Sequence, residues 1–150
     1  MTTNDSSKKW RVAVAWCAAL ILAVAASAPA QISVIVAKSA EAKATKTEVK
    51  GIFTGAKLKW PNGNKIQVVD QPDTELGKKF YDKVIGKSAN QVRTQWAKLL
   101  LSGQAAAPLK QPSDKTVKKI VAGSSNAIGY IATSALDDSV REILRIEREK

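Results

Sequence analysis

The sequence predicts an α/β fold: a single small domain of three-layer type, with a mixed sheet of about four strands and four helices. Three observations lead there. Runs rich in β-branched residues, Gln31 to Ala37 and Ile66 to Val69, flank a segment with the apolar spacing of a helix. Two helical segments open on capping-box pairs, Thr45 with Glu48 and Ser88 with Gln91, and close on glycine. The alternation of strand and helix at the start implies a βαβ unit with a right-handed crossover.

Residues 1–30 read as an export signal outside that fold. Lys8, Lys9 and Arg11 precede an apolar run from Val12 to Ala26, and Ala28-Pro29-Ala30 supplies small residues for cleavage. Cleavage is expected after Ala30, which places the remainder in the periplasm. The run is shorter than the ~20 apolar residues of a membrane-spanning helix, so no permanent span is expected after cleavage. Cys17 lies inside this run, after Trp16, and not at its end, where a lipidation site belongs.

The domain at 31–150 then contains no cysteine, so no disulfide forms within it and packing alone must stabilise it. The whole chain contains no histidine. That removes Ser-His and Cys-His nucleophile pairs, the usual zinc ligand sets and the commonest general base. Asp137-Asp138 is the only adjacent pair of carboxylates and reads as a solvated turn. No enzymatic activity and no cofactor are expected.

The chain carries a formal net charge of +11. A surplus of this size favours anionic partners. The lysines are scattered over several segments, however, and arginine is sparse apart from Arg141, Arg145 and Arg148 near the end. With neither a motif nor an interleaved aromatic platform, nucleic acid is not an expected partner.

In chain order, Gln31 to Ala37 is a buried strand. A helix starts at Thr45, buries Val49, Ile52 and Phe53, and stops at Gly55. Pro61-Asn62-Gly63-Asn64 is a turn, and Ile66 to Val69 a strand. A loop over Asp70 to Asp73 leads into a helix whose apolar residues, Leu76, Phe80, Tyr81, Val84 and Ile85, lie on one face before Gly86. From Ser88, Val92, Trp96, Leu99 and Leu100 form the stripe of a core-facing helix that closes at Gly103. Gln104 to Pro112 is a loop. Ser113 opens a short helix with Val117, Ile120 and Val121, stopped by Gly123. Ala127 to Ile131 is a strand in which Gly129 permits close backbone approach. Residues 140–146 fit either a helix or a strand.

The strand-loop-helix succession at 66–85 leaves backbone N–H groups pointing outward at the loop, where they favour anions. An ordinary structural cap is the plainer role for the same geometry.

Three motifs in order resemble one family. Ile52-Phe53-Thr54-Gly55 followed by Trp60 is similar to the IF.G....W segment of the phosphate-type periplasmic solute-binding proteins of ABC transporters. Ile66 to Phe80 resembles their strand, ligand loop and helix, and Asn126 to Tyr130 their GAIGY strand. The resemblance implies one lobe of a type II periplasmic binding protein. It implies ligand-binding residues at Gln71, Asp73, Thr74, Glu75, Gly77 and Lys78. The family's Ser-Gly-Thr-Arg loop falls on Thr74 to Gly77, where only Thr74 keeps a hydroxyl and Glu75 adds a negative charge. An exported, non-catalytic relative that binds phosphate or another small anion weakly is the expectation. The alternative is a ligand-free interaction module that kept the fold and docks to an envelope protein or a transporter.

Overall fold

The computed structural model describes residues 31–147; the expected export signal at 1–30 lies outside them. The described chain forms five strands, β1 (Ile32–Ala37), β2 (Gln67–Asp70), β3 (Leu109–Lys110), β4 (Ala127–Ala132) and β5 (Val140–Ile146). Its four α-helices are α1 (Lys46–Phe53), α2 (Glu75–Phe80), α3 (Ala89–Leu101) and α4 (Asp114–Ala122). The strands make one mixed sheet in the order β3-β2-β4-β1-β5.

Both capping boxes form as the sequence predicts. Thr45 accepts from the Glu48 N–H while the Glu48 side chain accepts from the Thr45 N–H, and Ser88 and Gln91 repeat the arrangement. The helix from Thr74 runs to Ile85, but its second half, Tyr81–Ile85, is π-helical, with the Gly86 N–H donating to the Tyr81 carbonyl at 2.8 Å. Phe80, Tyr81, Val84 and Ile85 are all buried on the face turned to the sheet, as their spacing predicts.

The expected right-handed βαβ unit at the start is corrected. β1 is buried along its whole length and pairs antiparallel with β4 on one edge and β5 on the other, so neither edge is left for β2. β2 lies beyond β4 and runs parallel to it. After α1 the chain first makes a tight excursion, with the Ile66 N–H donating to the Leu58 carbonyl, before entering β2. The parallel strands are instead β3, β2 and β4. Residues 140–146 are a strand; a register irregularity opposite Val34 and Ile35 accounts for their unclear periodicity. β3 lies inside the expected loop at Gln104 to Pro112, and its two exposed residues carry no alternation for sequence reading to find.

Helices cover both faces. On one side Val34 and Val36 of β1, Val68 of β2 and Ile128 and Tyr130 of β4 pack against α1, α2 and α3. On the other, Ile35, Val69, Ala127 and Ile131 pack against Val117 and Val121 of α4. Gly129 allows α4 to approach closely: a Cβ there would stand 2.7 Å from Cγ1 of Val117. Phe80 stacks on Tyr130 with ring centroids 3.9 Å apart, and Phe53 meets the Phe80 ring edge-on at 4.8 Å.

Candidate functional site

The three parallel strands end on one edge of the sheet at Asp70, Lys110 and Ala132. In α/β sheets this carboxyl edge is where ligand loops gather. The β2–α2 loop, residues 71–74, leaves from it.

Each predicted site residue takes a definite place there. Gln71 turns inward and is only 1% exposed. Its amide donates to the Tyr130 carbonyl at 2.8 Å and to the Asp114 carboxylate at 2.7 Å, tying β2 to β4 and to the start of α4. The Thr74 hydroxyl donates to the Gln71 carbonyl at 2.8 Å and accepts from the Gly77 N–H at 2.9 Å, so it caps α2. Gly77 is buried against the loop: a Cβ would stand 2.1 Å from the Gln71 carbonyl oxygen. Asp73, Glu75 and Lys78 face solvent. Glu75 and Lys78 pair at 2.6 Å, which lowers the glutamate's pKa and raises the lysine's. Asp73 approaches Lys110 at 3.8 Å.

The structure adds a buried cluster that sequence reading assigned to loop and core. Asp70, 5% exposed, accepts hydroxyl hydrogens from Tyr81 and Tyr130, the latter at 2.8 Å. The backbone N–H of Gln71 donates to the Tyr130 oxygen at 3.3 Å. Burial is the main influence on the Asp70 carboxyl and pushes it above the ordinary carboxylate value of 3.8, against the lowering effect of the two phenols. Both phenols are held well above the usual tyrosine range, first by burial and then by the adjacent carboxylate. A polar residue closing an apolar strand was the available signal for Asp70; nothing local in sequence marks its two tyrosine partners.

Among the described residues there is no group of His, Cys, Asp and Glu side chains able to hold a metal ion. No described helix is long and apolar enough to cross a membrane.

No protein-family model matches the chain. The phosphate-binding protein PstS of Bacillus subtilis is 32% identical over 111 residues, 71% of this chain and 32% of that protein. A Clostridium perfringens structure described as a putative phosphate ABC transporter substrate-binding protein with bound phosphate is 27% identical, with a TM-score of 0.59 over 76% of this chain and 45% of that one. The chain is related to the phosphate ABC transporter substrate-binding proteins. PstS of Borrelia burgdorferi, 14% identical with a TM-score of 0.58, shares the fold over 76% of this chain and 47% of its own. The chain thus spans about a third of the curated relative's length and under half of the solved structures. These relatives are named as binding and transport proteins, not as enzymes.

Proposed function

We propose that residues 31–150 form an exported, non-catalytic solute-binding domain, released from the signal at 1–30, whose β2–α2 loop binds phosphate or another small anion weakly. The kinship to phosphate-binding proteins supports the ligand class. The position of the loop at the carboxyl edge of three parallel strands supports its role.

The observation that carries the weakness of binding is how the loop's polar groups are used. The one hydroxyl, on Thr74, is engaged with the Gln71 carbonyl and the Gly77 N–H. The nearest cation on α2, Lys78, is neutralised by Glu75, whose own carboxylate stands in the first turn facing solvent. An arriving anion therefore meets a negative charge and no uncommitted hydroxyl in this loop, and like charge costs affinity unless a cation intervenes.

Parallel phosphate titrations of the wild type and Glu75→Ser test this reading. Removing the carboxylate frees Lys78 and supplies a hydroxyl, so affinity should rise about three- to tenfold, a change on the order of 1 kcal/mol. Equal affinities would remove Glu75 from the account.

A further inference from the structure

Beside the candidate loop, between α3 and the ends of β2 and β3, lies a half-enclosed cavity of about 340 Å3, within the size range of small-molecule sites. Four of its lining residues, Asp70, Tyr81, Val92 and Trp96, are buried, each at most 5% exposed. Ala97, Leu100 and Pro108 extend the apolar wall toward the mouth. Asn90, Arg93, Asp73 and Lys110 stand around the mouth.

We propose that this cavity is a second ligand site, taking a small organic amine whose ammonium group meets Asp70 and whose apolar body lies against Val92, Trp96 and Leu100. Among the described residues no cation is paired directly with Asp70; its oxygens accept from two neutral phenols, and Lys110 and the Gln71 backbone act on it more weakly. A buried carboxylate with acceptor capacity to spare gains from a cation brought next to it, because the desolvation of the acid has already been incurred in folding. Burial raises the Asp70 carboxyl above its ordinary value, and a positive partner beside it would offset that rise. The rings of Trp96 and Tyr81 add surfaces suited to an ammonium group. At the mouth Asp73 offsets Lys110, and Arg93 is exposed to solvent, where its repulsion is screened. The competing occupant, an organic anion steered by Arg93 and Lys110, would have to place its apolar end against a buried acid.

Phenethylamine, 2-phenylethanol and phenylacetate share one apolar body and differ in charge, so calorimetric titration of the protein with each at neutral pH separates the cases. Phenethylamine should bind at least about tenfold more tightly than 2-phenylethanol, the ratio expected of one hydrogen bond to a charged group, and phenylacetate should give no heat. Asp70→Asn should abolish the preference for the amine. Ala97→Trp, a change on an exposed wall position, should block the cavity and remove binding of the amine while phosphate titration and circular dichroism stay as in the wild type. Binding of phenylacetate as tight as that of the amine, amine binding that survives Ala97→Trp, or no amine binding by the wild type would each overturn the proposal.

Discussion

The Tyr130 hydroxyl reaches the Asp70 carboxylate at 2.8 Å across 60 residues of sequence, joining β4 to the end of β2. The same ring stacks on Phe80 at 3.9 Å, so one side chain ties the sheet edge to α2 through both a polar and an apolar contact. Tyr130→Phe keeps the stack and removes one of the two hydroxyls that Asp70 accepts from, along with the acceptor of the Gln71 N–H. The loss should be about 1–3 kcal/mol, the usual cost of leaving buried polar groups short of a partner. Urea denaturation of the variant beside the wild type measures it; an unchanged midpoint would show that water replaces the hydroxyl.

Two carboxylates give opposite pH dependences. Asp70 has a folded-state pKa raised above its unfolded value by burial, so its contribution is most favourable below about pH 4 and is lost as pH rises through the folded value. Glu48, hydrogen-bonded by Lys57 and by the Thr45 N–H, is lowered to about 2, so its contribution is present above the unfolded value of 4.5 and lost as pH falls toward 2. Asp70→Asn should therefore gain stability relative to the wild type as pH rises above about 4, while Glu48→Gln should lose its deficit as pH falls from about 5 to 2. Denaturation midpoints across this range give both slopes, and a flat Asp70→Asn difference would contradict the burial of its charge.

Gly77 is required by space. Its missing Cβ leaves room for the Gln71 carbonyl and for the Pro72 backbone, 2.9 Å from where that atom would sit. Both neighbours are backbone and cannot swing aside, so Gly77→Ala should cost roughly 1–3 kcal/mol by forcing the loop away from α2. Thr74→Ala, which deletes the cap alone, should cost about 1 kcal/mol. If thermal denaturation ranked Thr74→Ala as the more damaging, the close approach at Gly77 would not be what fixes the loop.

Local chemistry made much of this fold legible. Capping boxes at Thr45 and Ser88, the apolar face ending at Ile85, and the strands at 31–37, 66–69 and 127–131 depend on neighbours in sequence, and the structure places them within a residue or so of the expected limits. Strand order did not follow, because the adjacency of β4 to both β1 and β2 is settled by which edges remain open, a property of the assembled sheet. The two-residue β3 was beyond reach for lack of any pattern. At the site the loop was legible and the roles of its side chains were not. The inward turn of Gln71 depends on Asp114 and Tyr130, 43 and 59 residues away, and the Asp70 cluster depends on the same fold-level proximity.

We propose that this domain, related to phosphate-binding proteins, carries a loop poorly suited to phosphate. Isothermal titration calorimetry of the purified protein with inorganic phosphate, at low ionic strength so that weak electrostatic binding is not screened away, tests it most directly. A dissociation constant no tighter than micromolar is the expected result. A nanomolar constant would contradict it, and with it the part assigned to Glu75.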